Sequence, residues 1–228
     1  MLLVVPKVLE GDALAALRTS LESHGAPWVD GRLTAGHQAR EVKNNLQLDA
    51  SNAAVRGYSD SVIAALDRNL LFISAALPHR LYPPMFNRYA DGMNYGTHVD
   101  VALRTHPYTG QQIRSDLSAT LFLSPPDSYD GGELQIERNG IAHMIKLAAG
   151  DMIVYSASTR HSVKPVTRGA RLASFFWIQS MVRDDGLREK LHELDTAIQR
   201  LSQSGADAQA IIQLSNLYHN LLRLWSEV

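Results

Sequence analysis

The spacing of apolar positions changes character along the chain. Near the start, Leu14, Leu17 and Leu21 step by three and four residues, which predicts a helix capped by Asp12 and stopped at Gly25 and Pro27. From Ser51 the residues Val55, Val62, Ile63 and Leu66 recur at helical spacing, and Pro78 closes that region. Between the two lies a polar stretch, Gly31 to Asn45, read as a hairpin or a loop. The segment 1–78 is therefore expected to be mostly helical.

After Pro78 the period shortens. "LYPPMFNRYA", "LSATLFLS", "ELQIE", "HMIKL", "DMIVYS" and "RLASFFWIQSMV" are short apolar or alternating runs. Pro125-Pro126, Gly131-Gly132, Asn139-Gly140, Gly150-Asp151 and the stretch Pro165 to Gly169 punctuate them. Asn-Gly between two strand patterns is a strong hairpin signal. Many short strands with regular turns predict a sandwich or jelly roll. From Leu187 the pattern is helical again: Leu187, Leu191, Leu194, Ile198 and Leu201 form one apolar stripe. Ser204-Gly205 breaks it. Asp207 then caps a helix carrying Ile211, Leu214, Leu217, Tyr218, Leu221 and Trp225. The expected fold class is α+β, with a double-stranded β-helix core over 79–182, N-terminal helices over 1–78 and a C-terminal helical hairpin over 183–228. Residues 1–182 would form the functional domain.

Composition narrows the function. The chain has 228 residues, 45% apolar and 20% charged, which is ordinary for a globular protein with a sizeable core. A formal net charge of −1 gives no electrostatic footprint for nucleic acid. Cysteine is absent, so disulfides, thiolate zinc sites and cysteine nucleophiles are excluded. "MLLVVPKVLE" has no basic leader and no long apolar run, and no stretch approaches a membrane span. The expectation is a cytoplasmic protein.

"NYGTHVDVAL" holds the candidate chemistry. In an extended strand, residues i and i+2 share a face, so His98 and Asp100 project together. They are either a hydrogen-bonded pair or two ligands of one metal. Of the other histidines, His24, His37, His192 and His219 fall in helical regions. His79, His106 and His143 suit turns or exposed strand positions. His161 lies between two strands and can return beside His98. Two histidines and a carboxylate make the facial triad of non-haem Fe(II) oxygenases, which leaves open positions for cosubstrate and O2. A zinc hydrolase would use three ligands and a water instead. Arg171 follows His161 by ten residues and shares a strand face with Ala173, Phe175 and Trp177. A guanidinium aimed into an apolar barrel needs an anion, and its fork suits a carboxylate. Lys164 and Arg168 are rivals for that place.

"FNRYADGMNYGTHVD", "GGEL" at Gly131 to Leu134 and "HSVKPVTRGARLASFFWIQSMV" together resemble the prolyl-hydroxylase type of Fe(II)/2-oxoglutarate dioxygenase. The whole chain is similar to the bacterial PKHD-type hydroxylases, including the PiuC group associated with iron uptake. The resemblance implies His98, Asp100 and His161 as iron ligands, Arg171 as the anchor for 2-oxoglutarate, and Tyr89 as a further cosubstrate contact. It implies hydroxylation of a substrate with conversion of 2-oxoglutarate and O2 to succinate and CO2, and admits L-ascorbate as an accessory reductant. The substrate is either a siderophore-like small molecule or a peptidyl residue. The segment from Arg104 to Asp116 is the expected lid, where Arg104 and Arg114 favour an anionic group. A non-catalytic iron or 2-oxoglutarate sensor would use the same residues. The apolar faces of the tail need cover, either from the outer surface of the jelly roll in the same chain or from a second copy; the breadth of the second helix's apolar surface favours a homodimer through the C-terminal helices.

Overall fold

The computed structural model of the protein describes residues 1–34 and 40–227. Its framework is two antiparallel sheets facing each other, a jelly roll. The larger sheet runs β1-β14-β10-β17-β6-β4-β2, with β5 also paired to β17. Its strands are β1 (Leu2–Val5), β14 (Met152–Ser156), β10 (Leu117–Phe122), β17 (Ala170–Ser180), β6 (Met85–Ala90), β4 (Leu46–Leu48), β2 (Trp28–Asp30) and β5 (Pro78–Leu81). The smaller sheet runs β13-β12-β15-β7-β3. These are β13 (Ile141–Ile145), β12 (Leu134–Arg138), β15 (His161–Val163), β7 (Asn94–His98) and β3 (Lys43–Asn44). Two short pairs complete it: β8 (Leu103–Thr105) with β9 (Gln112–Arg114), and β11 (Asp130–Gly131) with β16 (Val166–Arg168).

Alternation sorts the central strands into two faces. On β17, β10 and β6, the residues Leu172, Phe176, Ile178, Leu117, Ala119, Leu121 and Phe86 point outward. There they meet Leu17 and Leu21 of the helix Gly11–Glu22, Val55, Val62 and Leu66 of the helix Ala53–Leu66, and Phe72 of the helix Leu70–Ala76. The opposite face turns inward, where Tyr89, Phe122, Ile153 and Tyr155 pack with Leu134, Ile136 and Val163 of the smaller sheet. Each fully buried side chain of this size contributes about 1.5–3 kcal/mol. The helices therefore close one side of the large sheet and leave the other to form the pocket.

The hairpin β12–β13 turns at Asn139-Gly140, both with positive φ (52° and 76°), as a two-residue type I′ connection requires. Other details depart from the sequence expectation. The segment 1–78 is not only helical: β1 joins the edge of the large sheet, β2 and β4 extend its other end, and β3 borders the small one. These strands have two to four residues, too few for a period to show. Gly31–Thr34 is a single 3₁₀ turn, and the rest of the polar stretch through 39, His37 included, lies outside the described residues. The first helix begins at Gly11 with Glu10 in the cap position, so Asp12 sits in its first turn. The helical region after Ser51 divides at Asp67–Asn69, where the Asn69 side chain accepts from the Phe72 amide and restarts the helix.

The tail forms the expected hairpin, Asp185–Gln203 and Ala208–Trp225, capped by Asp184 and Asp207. It packs on its own chain: Leu187, Leu191, Tyr218, Leu221, Leu222 and Trp225 cover Leu77 and Val182. The Ser74 hydroxyl reaches Asp195 and His192, and Arg138 donates to Glu189 at 2.7 Å. Leu217 and Leu224 stay 48% and 74% exposed. No helix of the described residues is long and apolar enough to cross a membrane.

Candidate metal and cosubstrate site

β7 and β15 are neighbours, and His98 stands directly opposite His161 across that ladder. The two imidazole centroids lie 4.2 Å apart. Asp100, just past the end of β7, brings Oδ2 to 3.6 Å from His161 Nε2. Potential ligand atoms of His98, Asp100 and His161 all fall within 4.8 Å of one another.

The donor set fits a metal in a specific way. His98 Nδ1 donates to the Gly96 carbonyl at 2.8 Å, and His161 Nδ1 donates to the Thr159 carbonyl at 2.9 Å. A carbonyl only accepts, so Nδ1 of each ring carries a proton and Nε2 is the atom left to face a metal. Backbone orientation of this kind is what metal-ligating histidines use. Burial, with His161 beside it, pulls His98 down to about 4, so the ring is neutral at pH 7. The Ser118 hydroxyl donates to Asp100 Oδ2 at 2.5 Å and turns that carboxylate. Tyr95 stacks on His98 with centroids 3.7 Å apart and closes one side.

Arg171 lines the same pocket. It sits on β17 directly opposite Tyr89 of β6, so both side chains enter from the large sheet. The arginine is 1% exposed, packed over the rings of Phe122 (5.0 Å) and Tyr89 (5.4 Å). Its hydrogen bonding is sparse: a long contact of 3.5 Å to Asn87 Oδ1, the Tyr129 hydroxyl close by, and no partner for Nε. Among the described residues no carboxylate pairs with it. A buried guanidinium left this way is a place for an anion. Gly132 makes room for it. With φ at +68°, a Cβ there would meet Val166 Cγ2 at 2.8 Å, Tyr129 Cε2 at 3.0 Å and Arg171 Cδ at 3.1 Å. Burial drives the Tyr89 hydroxyl up to about 12, so it enters the pocket as a neutral phenol.

The rivals lie elsewhere. Arg168 is on the surface, forked onto Asp130 at 2.7 and 2.9 Å. Lys164 is not among the pocket residues. The Arg104–Asp116 segment is the β8–β9 hairpin rather than an open loop. Its Arg104 faces the pocket, but Arg114 is held by Asp116 and Glu227. The sequence reading missed Lys43, Asn45 and Gln47, which line the pocket and are 6%, 3% and 0% exposed. Their only local signal was the period of two that sets Lys43, Asn45 and Gln47 on one strand face, blurred because Asn44 on the other face is polar too.

A family model described as the 2OG-Fe(II) oxygenase superfamily matches residues 84–179, and one described as the PKHD-type hydroxylase C-terminal domain matches 185–227. A PKHD-type hydroxylase of Cupriavidus pinatubonensis is 54% identical over 227 residues, covering the full length of both chains. Among solved structures, a prolyl hydroxylase of Trichoplax adhaerens, in complex with a hypoxia inducible factor oxygen degradation domain peptide fragment, shares the fold. Its TM-score is 0.54 at 14% identity, over 78% of this chain and 83% of that one. HygX from Streptomyces hygroscopicus, with nickel, 2-oxoglutarate and hygromycin B bound, shares it with a TM-score of 0.53 at 15% identity, over 78% and 82% of the two chains. Full-length identity at this level, on a jelly roll whose pocket gathers two histidines, an aspartate and a buried arginine, places the chain in the PKHD-type hydroxylase family, enzymes of the 2OG-Fe(II) oxygenase superfamily that use Fe(II) and 2-oxoglutarate.

Proposed function

We propose that the protein hydroxylates a C–H bond of a small-molecule substrate, with Fe(II) held by His98, Asp100 and His161 and 2-oxoglutarate gripped at its distal carboxylate by Arg171. The observation that carries this reading is the buried, almost unpartnered guanidinium of Arg171 in one pocket with the three clustered ligands. When bound, the metal and 2-oxoglutarate supply the oxidising chemistry, consuming O2 and releasing succinate and CO2. The protein's own residues position. The Gly96 and Thr159 carbonyls keep both Nε2 atoms turned to the metal. Ser118 donates to Asp100 Oδ2 and so fixes the orientation of that carboxylate beside His161. Tyr89, a neutral phenol opposite Arg171, is a hydrogen-bond donor for the cosubstrate. Phe175, Phe176 and Trp177 give the pocket apolar walls, and Phe122 packs against Arg171. No side chain is asked to act as a general base.

HygX is solved with hygromycin B bound and the Trichoplax prolyl hydroxylase in complex with a peptide fragment, so this jelly roll can hold either class of ligand. A siderophore-like small molecule is the reading favoured here, with a peptidyl residue as the competing one. The test is a metabolite screen with Fe(II), 2-oxoglutarate and ascorbate under air. Succinate formation coupled to a product heavier by one oxygen atom supports hydroxylation. No substrate-stimulated succinate, with tight 2-oxoglutarate binding retained, would favour a sensor.

We further propose that the enzyme works in the cytoplasm, where iron is kept ferrous, and that it forms a homodimer through the second tail helix. Leu217 and Leu224 are seven residues apart, on one face of that helix, and both are exposed.

A further inference from the structure

The pocket holds more positive charge than the metal and cosubstrate account for. Lys43 enters from β3, opposite Tyr95 of β7, and is 94% buried, since its exposure is 6%. Its ammonium lies 5.2 Å from the Tyr95 ring and has one hydrogen bond, 3.2 Å to Thr34 Oγ1. Arg104 enters from the β8–β9 hairpin and lays its guanidinium 3.2 Å from the Trp177 ring centre. Its Nε is buried without a partner. Neither cation makes an ion pair among the described residues, and residues 35–39, Ala-Gly-His-Gln-Ala, carry no carboxylate. Among the described residues, Asp100 is the one acidic residue lining this pocket. Both cations feel its charge.

A simple charge count follows, and it rests on the function proposed above. Fe(II) and Asp100 together carry one positive charge, and Arg171 carries another. The two carboxylates of 2-oxoglutarate balance them. Lys43 and Arg104 then remain without a counter-charge inside the pocket; Asp30, whose charge also reaches Lys43, lies outside it and is forked onto Arg32. Burial and the neighbouring Arg104 pull Lys43 down to about 8, which still leaves it mostly charged at pH 7. Burying cations without counter-ions is destabilising, and such an arrangement persists where a ligand completes it. The apolar surfaces beside them belong to Tyr95, Phe175, Trp177, Val99 and Val101.

We propose that Lys43 and Arg104 form a second anion-binding subsite, which selects a small organic substrate bearing a carboxylate or similar oxyanion beside an aromatic or apolar body. Arg171 reads the cosubstrate; this pair reads the substrate.

The test uses the full chain loaded with Mn(II) and saturating 2-oxoglutarate, with sodium benzoate as the probe and benzamide as its neutral counterpart. Ionic strength is held constant with sodium chloride. Binding is followed by calorimetry and by the shift in thermal unfolding. The expected result is a saturable rise in Tm with benzoate and little or none with benzamide. Lys43→Met and Arg104→Met should each weaken benzoate binding at least tenfold while leaving 2-oxoglutarate affinity unchanged. Arg104→Met, on the surface hairpin, keeps the question open to test if the Lys43 variant folds poorly. Equal binding of benzamide, no benzoate binding to the wild type, or undiminished binding in both variants would each overturn the proposal. So would a loss of 2-oxoglutarate affinity in these variants, which would assign the two residues to the cosubstrate. Failure of the wild type to bind 2-oxoglutarate at all would instead refute the function on which the proposal rests.

Discussion

Replacing Arg171 by Met separates two roles that an arginine in a pocket can have. If the side chain were structural, its loss would destabilise the fold. If it waits for an anion, the empty protein carries a charge removed from water with only sparse hydrogen bonding to offset it, a 3.5 Å contact to Asn87 and an unpartnered Nε. Met fills a similar volume and packs on Phe122 and Tyr89 without that burden. Exchanging buried ionic groups for well-packed apolar ones is often neutral or stabilising by about 1–4 kcal/mol. Stability without cosubstrate should therefore stay level or rise. Binding should move the opposite way. Truncating one partner of a buried charge pair removes about 2–5 kcal/mol. At roughly 1.4 kcal/mol per tenfold, that is about 30-fold to 4,000-fold weaker 2-oxoglutarate binding. Urea unfolding of the apoprotein measures the first quantity, and anaerobic calorimetry with Mn(II) measures the second. Arg171→Lys should fall between, because the charge stays and the fork is gone. A Met variant that binds 2-oxoglutarate normally, or that unfolds several kcal/mol more easily, would refute the reasoning. So would Arg168→Ala causing the loss of affinity instead.

Other outcomes follow from the same geometry. His98→Ala, Asp100→Ala and His161→Ala should each abolish turnover and weaken metal binding, read by metal titration, while His106→Ala on the hairpin leaves both intact. Ser118→Ala should lower metal affinity about 10–100-fold by freeing Asp100 to rotate. Gly132→Ala should destabilise the fold by about 1–3 kcal/mol through its positive φ and raise the 2-oxoglutarate requirement by pushing on Arg171, seen in urea melts and initial rates. Lys43 sits near 8 when folded against an ordinary 10.5, so the unfolded chain binds its proton more tightly across that window. Its penalty is complete below about pH 8 and fades as pH rises towards 10.5; the stability advantage of Lys43→Met in unfolding melts should shrink accordingly. Leu217→Asp with Leu224→Asp should give a folded monomer by light scattering, and a wild type already monomeric at micromolar concentration ends the dimer proposal.

How far the sequence could be read depended on the range of the interaction behind each feature. The β12–β13 turn was legible because Asn-Gly meets a local demand for two positive φ angles. The tail was legible because its stripe runs unbroken over a long helix. The spacing of His98 and Asp100 and the parity that puts Arg171 with Trp177 are also local, but the full set with His161 and Tyr89 was named through the family resemblance, because those residues meet only by long-range pairing. The edge strands β1 to β4 could not be found this way. Their pairing partners lie far away in the chain, and Leu2–Val5 becomes a strand because Met152–Tyr155 offers it an edge. Lys43 was hidden for the same reason. Nothing near it in sequence shows that β7 will pair with Lys43–Asn44 and pull the ammonium inside. The division at Asp67–Asn69 is a different miss, since Asn69 as a cap was visible locally but the apolar spacing ran across it.

β17 carries Arg171 near its start and reaches the tail's docking surface near Ser180. Nine residues of strand span about 30 Å at roughly 3.3 Å each. It is paired along most of its length, residues 173–178 to β10 on one side and residues 170–175 and 178–180 to β6 and β5 on the other. A strand clamped this way does not slide, so strain at one end is absorbed by its neighbours. Energetic coupling usually fades beyond about 7–10 Å when no partner is shared. A double-mutant cycle between Arg171 and Leu221 should therefore close near zero. Substitutions on the tail's docking face that leave the Arg114–Glu227 contact intact should then change stability without retuning the grip of Arg171, so that surface is free to vary while the pocket is held.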